Sequence, residues 1–197
     1  MAWDDDAFVA AFNMEAGDTV ATLATEPQKI QWFNEGQERL LRRAPRFTDL
    51  TWVSGQRSVD LPADFVSLDK FIYNADSSRD RWRVWGRTFV HDDTDGAQGD
   101  GGARVYYWGE WSQMVDAMPG VTELSVAQDY ACMYFALHRF YKRLSSNRAY
   151  YKRYATLVAQ NAISMSDLQQ EADRYYQDFL DAREDLELDP PAFFYSE

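Results

Sequence analysis

The sequence predicts an α+β protein, a helical bundle with an inserted small antiparallel β module, and three observations carry that expectation. Apolar residues recur at spacings of three and four near both ends of the chain, the period falls to about two between Thr48 and Trp108, and glycine, proline and aspartate punctuate the region where it changes. The 197 residues fit a single domain. It is expected as helical parts 1–46 and 119–188, a β-rich insertion 47–118 and a C-terminal tail 189–197. Hydrophobic residues make up 46% of the chain, with 12 Phe, 12 Tyr and 7 Trp among them, so a core can form without disulfides or metals.

The first helix is expected after Asp4, with Asp5 and Asp6 suiting its start and Phe8, Ala11 and Phe12 on one stripe. Gly17 interrupts the pattern, and Asp18 is placed as the cap of a short second helix. Thr25, Pro27 and Gln28 form a helix-start signature, and the apolar spacing runs on through Ile30, Phe33, Gln37, Leu40, Leu41 and Ala44 to an end before Pro45. Strands are then expected at Thr51 to Val53 and Arg57 to Leu61, joined as a hairpin through Ser54, Gly55 and Gln56. Four more follow at Leu68 to Tyr73, Arg81 to Trp85, Arg87 to Val90 and Ala103 to Trp108. The stretch from Asp92 to Gly102 is polar and glycine-rich, which predicts a mobile tip. A long helix opens at Thr122, and Cys132, Met133, Phe135 and Phe140 leave it little polar face, so it is placed at the centre of the core. Two further helices follow, the last opening at Ser166 and burying Leu168, Ala172, Tyr175, Tyr176, Phe179 and Leu186.

The net charge is −12, spread evenly along the chain. A protein that grips DNA by neutralising phosphates needs a cationic face, so sequence-specific nucleic-acid binding is not expected. The start lacks the basic segment and apolar run of a secretion signal, and no run approaches the roughly 18 apolar residues of a membrane span. A soluble protein without membrane attachment is therefore expected. The lone Cys132 excludes an internal disulfide and a multi-thiolate zinc site, and a reducing compartment fits it best.

Candidate chemistry is sparse. His91 beside Asp92, Asp93 and Asp95 suggests a calcium loop, but registering the loop on Gly96 puts His91 at its first position and Gly102 at its twelfth, where Asp and Glu are required. A solvated turn is the simpler reading, and no metal or cofactor is expected. Glu110 lies among Tyr106, Tyr107, Trp108 and Trp111, a composition found where sugar rings stack. It defines the alternative function, a glycan or peptidoglycan hydrolase using Glu110, while a strand end packing its aromatics is the simpler account. Cys132 and His138, six apart on one helix, project from different faces, so no catalytic residue is assigned.

The clearest electrostatic feature lies nearer the C-terminus. Residues 138–153 hold Arg139, Lys142, Arg143, Arg148, Lys152 and Arg153 and no acid, whereas residues 164–189 hold nine acids against Arg174 and Arg183. Three readings stay open: pairing of two antiparallel helices within the chain, two merely solvated faces, or a head-to-tail contact in which one copy's basic segment meets its neighbour's acidic helix. The ending Phe193, Phe194 and Tyr195, after Pro190 and Pro191, should seek cover from its own fold or from a partner.

A resemblance rests on the helix with Asn34, Glu35, Gly36, Gln37, Leu40 and Leu41, on Gly55, and on the run Val59, Asp60, Leu61, Pro62, Ala63, Asp64, Phe65. It continues through Trp85 and Gly86, the strand Val105, Tyr106, Tyr107, and the aromatic helix after Glu123. In that order these parts resemble the head-to-tail connector, or adaptor, proteins of tailed bacteriophages, with Leu-Pro-x-Asp-Phe as the most specific piece. The sequence departs from that pattern in a longer, more acidic tip at Asp92 to Gly102 and in the absence of a proline-rich exit between Trp108 and Met114. The resemblance implies a non-enzymatic ring, commonly of twelve copies, in the virion neck after assembly in the host cytoplasm. Its partners would be the portal protein, neighbouring copies, and a tail or second neck protein below, with the genome passing through the lumen. On this reading Leu188, Phe193, Phe194 and Tyr195 make the portal contact, and Arg139, Arg143, Arg148, Lys152, Arg153, Asp178, Asp181 and Asp185 make the subunit contacts.

Overall fold

The computed structural model describes residues 3–40, 44–73, 81–92, 95–97, 99–117, 120–158 and 163–187. Among them it is an α+β protein with six helices and two antiparallel three-stranded sheets. They form two compact units, one helical (residues up to 40 and from 112 onward) and one of β-structure (residues 44–111).

In the helical unit, α1 (Asp5–Ala16) starts where Asp4 Oδ1 accepts from the Ala7 amide at 2.8 Å, satisfying one of the donors that a helix start leaves open. Gly17, with φ 83°, ends α1 and itself occupies the cap position of α2 (Asp18–Ala21), so the cap falls one residue before the expected Asp18. Next, α3 (Glu26–Arg39) opens with Gln28 Oε1 accepting from the Thr25 amide. It stops five residues short of the expected limit, because the residue before Pro45 is pushed to extended backbone and Ala44 already pairs with Gly109 in a sheet.

The long helix α4 (Val126–Ser146) is capped reciprocally, with Ser125 Oγ accepting from the Gln128 amide and Gln128 Oε1 accepting from the Ser125 amide. Thr122, expected as its first residue, instead donates its amide to the Trp3 carbonyl and its hydroxyl to Asp129. Helix α4 packs on α1, α3, α5 (Arg148–Val158) and α6 (Met165–Glu187), which gives each of its apolar faces a neighbour. Phe8, Phe12, Phe33 and Phe140 are fully buried there. The start of α6 lies one residue earlier than Ser166, because Ser164 and Asp167 exchange the capping hydrogen bonds. Leu168, Ala172, Tyr175 and Phe179 are buried, Tyr176, expected inside, is exposed, and the Leu186 side chain lies outside the described set.

The β unit contains β1 (Ala44–Trp52), β2 (Ser58–Asp60), β3 (Phe65–Tyr73), β4 (Trp82–Trp85), β5 (Thr88–His91) and β6 (Gly101–Gly109). One sheet runs β1-β6-β3, the other β2-β5-β4. The hairpin expected across Ser54 to Gln56 does not form, since β1 pairs with β6 and β2 with β5. That turn is instead bonded to the predicted tip: Gly55 donates to the Ala97 carbonyl and Ala97 to the Gln56 carbonyl. Ala97 is accordingly buried with Leu50, Trp52, Phe65, Trp82, Phe89 and Val105, which corrects the expectation of a wholly mobile tip. Gly96 makes the approach possible, since a Cβ there would lie 2.5 Å from the Gly55 carbonyl oxygen.

Candidate functional site

The basic stretch occupies the second half of α4 and the first half of α5. On α4 the stripe that faces α6 carries Tyr134, His138, Tyr141 and Ser145, while Arg139 and Arg143, four apart, lie on the stripe that faces α3. Arg139 pairs with Glu35 at 3.0 Å. Arg143 donates to Gln28 Oε1 at 2.8 Å and to the Tyr150 hydroxyl, and its guanidinium lies over the Tyr150 and Trp32 rings. Both arginines are thus fixed by the fold before any partner arrives. Lys142 stands exposed beside them. Together these side chains, with Gln28, Gln31 and Trp32, line an open pocket of about 390 Å³.

Arg148, Lys152 and Arg153 are exposed on α5, and none of them forms an ion pair with another described residue. On α6, Asp181 is exposed and accepts from Gln177 at 2.7 Å. Asp178 is half-buried near Tyr134, whose hydroxyl pKa is raised by burial first and by this carboxylate second. Asp185 lies in α6, but its side chain is outside the described set. Leu188, Phe193, Phe194 and Tyr195 are also outside the described residues.

The contact between α4 and α6 is not ionic. Tyr141 stacks on Tyr175 at 14°, Phe135 meets Phe179 edge-on, and Ser145 donates to Gln169. His138 Nδ1 lies 2.8 Å from the Ala172 carbonyl; a carbonyl only accepts, so this nitrogen carries the proton. Burial pushes the imidazole pKa down, against that hydrogen bond, which acts the other way. Among the described residues no ion pair joins residues 138–153 to α6. The charge pairing of the two stretches within the chain is thus not seen among the described residues, and Arg148, Lys152, Arg153 and Asp181 stand on solvated faces.

Glu110 is exposed one residue past β6, its amide donating to the Asp64 carbonyl. The Asp64 carboxylate beside it is committed to Arg46 at 2.7 Å and to the Tyr107 hydroxyl at 3.1 Å. This gives the Leu-Pro-x-Asp-Phe run a structural meaning: Leu61 and Phe65 are buried and Asp64 clamps two strands. His91 is buried edge-on against Trp82. No group of three or more His, Cys, Asp or Glu gathers among the described residues. The Cys132 backbone lies against Gly36 of α3 and His138 bonds to α6, and the two positions, six apart, fall on different faces of α4.

Two features were not singled out in the sequence. Lys142 was legible as a charge but not as a pocket residue, because its pocket depends on how α3 lies on α4. Asp129, fully buried, accepts from the Trp3 amide at 3.1 Å and the Thr122 hydroxyl at 2.8 Å. Burial pushes its carboxyl up to about 6, against these two hydrogen bonds, which favour the charged form. The signal was an acid inside an apolar helical run. No protein-family model matches the chain, and no curated protein matches it.

Proposed function

We propose that this chain is a structural subunit of an oligomeric ring, the head-to-tail connector of a tailed phage, which binds the portal and passes the genome through its lumen. The observation that carries the reading is the charge arrangement of the helical unit. Arg148, Lys152 and Arg153 on α5, and Asp173, Asp181 and Glu184 on α6, lie exposed with no ion pair to another described residue. A chain that holds unlike charges on separate outer faces suits head-to-tail contact between copies, the geometry that closes into rings. Copies each carrying −12 would also repel rather than grip DNA, as a conduit requires. The resemblance in the order of parts supplies the portal, the tail-side partner and the neck as the setting.

The test has two arms. Deleting residues 190–197 should abolish co-sedimentation with portal rings while leaving the helical content intact; unchanged binding removes the tail from that interface. Reversing the charges of Arg148, Lys152 and Arg153 together should weaken ring formation at low salt, and a triple variant that assembles like the wild type argues against the ring contact.

A further inference from the structure

The pocket between α3 and α4 has a composition that the fold does not use up. It gathers Arg139, Lys142 and Arg143 in a protein whose net charge is −12, with Trp32 in its wall and Gln28 and Gln31 on its rim. Among the described residues, Glu35 alone supplies an ion-paired counter-charge there, to Arg139. Arg143 is held by Gln28, Trp32 and Tyr150, so its planar fork is oriented in advance and little side-chain freedom is lost when an anion docks. Lys142 has no ion-pair partner among the described residues.

The matching anion lies on α6. Asp173, Gln177, Asp181 and Glu184 are all exposed and recur at spacings of four, four and three, which places them on a single stripe. Gln169 and Gln177 each donate to the aspartate four residues on, which holds Asp173 and Asp181 in place. The stripe is roughly 16 Å long at about 1.5 Å per residue. Among the described residues no ion pair joins this stripe to α4 or α5, and α4 meets α6 through Tyr141, Phe135 and Ser145.

We propose that the α3–α4 pocket receives the carboxylates of this α6 stripe from a second copy of the chain. The inference rests on the ring reading and gives its charged contact a socket: Lys142 and Arg143 meet Asp181 and Glu184, and α5 extends the cationic face beyond them. Surface ion pairs are individually weak, so the pocket sets register and assembly rate more than total affinity.

Sedimentation velocity of the full chain at about 50 mM salt tests it. Lys142→Glu should weaken self-association about tenfold or more, and Gln31→Glu, from the opposite wall, should act in the same direction. Both positions are exposed, and circular dichroism checks that each variant is folded. Adding Asp181→Lys to Lys142→Glu should restore assembly. Wild-type assembly by Lys142→Glu, or a double variant no better than the single one, overturns the socket while leaving the ring standing. A wild-type chain that stays monomeric at every concentration, alone and mixed with portal protein, removes the ring and the socket together. Binding of inorganic phosphate or an oligonucleotide that is lost in Lys142→Glu while assembly is unchanged would assign the pocket to a free anion and overturn the proposal.

Discussion

The two units place their polar groups differently. In the helical unit polar side chains are taken into the interior and tied between elements: Asp129 to Trp3 and Thr122, His138 to Ala172, Lys29 to Asn13, and Asn34 to both the amide and carbonyl of Met114. In the β unit the hydrophobic cluster is built from Trp52, Phe65, Trp82, Phe89 and their neighbours, and apart from buried His91 and the half-buried Asp64 clamp, its charge pairs, such as Arg104 with Asp49, stand on the outside. The difference reflects how each unit fixes its register. Backbone ladders set the strands, whereas packed helices can slide and rotate, so buried hydrogen bonds of defined partner pin them.

The largest effects should come from the two cores. Phe140→Ala and Phe89→Ala each empty a fully buried aromatic site and should lower stability by about 3 to 5 kcal/mol. Urea unfolding measures both, and a loss under about 1 kcal/mol at either site would show that its unit is not centred where described. Next comes a contrast between glycines. Gly96→Ala meets the Gly55 carbonyl at 2.5 Å with φ at 81°, so strain and overlap together should cost about 2 to 4 kcal/mol. At Gly36 the added Cβ would lie 3.1 Å from the Cys132 Cα, and the gain of about 1 kcal/mol in helix propensity offsets part of the crowding. Gly36→Ala should therefore be the milder variant, and the reverse order would contradict the packing given for both units.

Asp129 gives the helical unit a pH signature. Its folded carboxyl titrates near 6, raised by burial above the unfolded value of 3.8. The stabilising contribution of the protonated form is thus fully present below about pH 3.8 and is lost as pH rises through about 6, a swing of about 2 to 3 kcal/mol. The difference in unfolding free energy between wild type and Asp129→Asn isolates it from the other carboxylates. Wild type should gain relative to the variant on acidification from pH 7 to pH 4, and a flat difference would contradict the buried carboxylate. The smallest effect is expected on the outside of the β unit. Arg104 and Asp49 form a two-point pair that holds the Asp49 carboxyl below its usual range, yet exposed pairs add little to stability. Arg104→Ala should leave the unfolding midpoint in place while raising the Asp49 pKa toward its ordinary value, which carboxylate NMR can follow.

The helices were legible because their signals are local. Asp4, Thr25 and Gln28 mark starts within one turn, and the spacing of Leu168, Ala172, Tyr175 and Phe179 shows the buried face of α6 directly. Most strand positions were legible from their period, but β1 begins at Ala44, seven residues before the expected Thr51, and the partners of the strands were not legible. Ala44 pairs with Gly109 and Tyr73 with Ala103, choices that depend on packing between distant segments rather than on turn chemistry. Gly55 looked like a hairpin turn because nothing nearby in sequence announces that Gly96 and Ala97 will dock on it. The charged stretches were visible as composition, while the pocket that joins Lys142 to Trp32 exists only once α3 lies on α4.

In the proposed ring beneath the portal, the unlike charges on separate faces of one chain join it to its neighbours. Electron cryomicroscopy of the full chain mixed with portal protein at low salt tests it most directly. A closed ring of repeated copies seated on the portal, with the α5 side of each copy against the α6 side of the next, is the expected result. Portal particles without added density, alongside a monomeric chain, would contradict it.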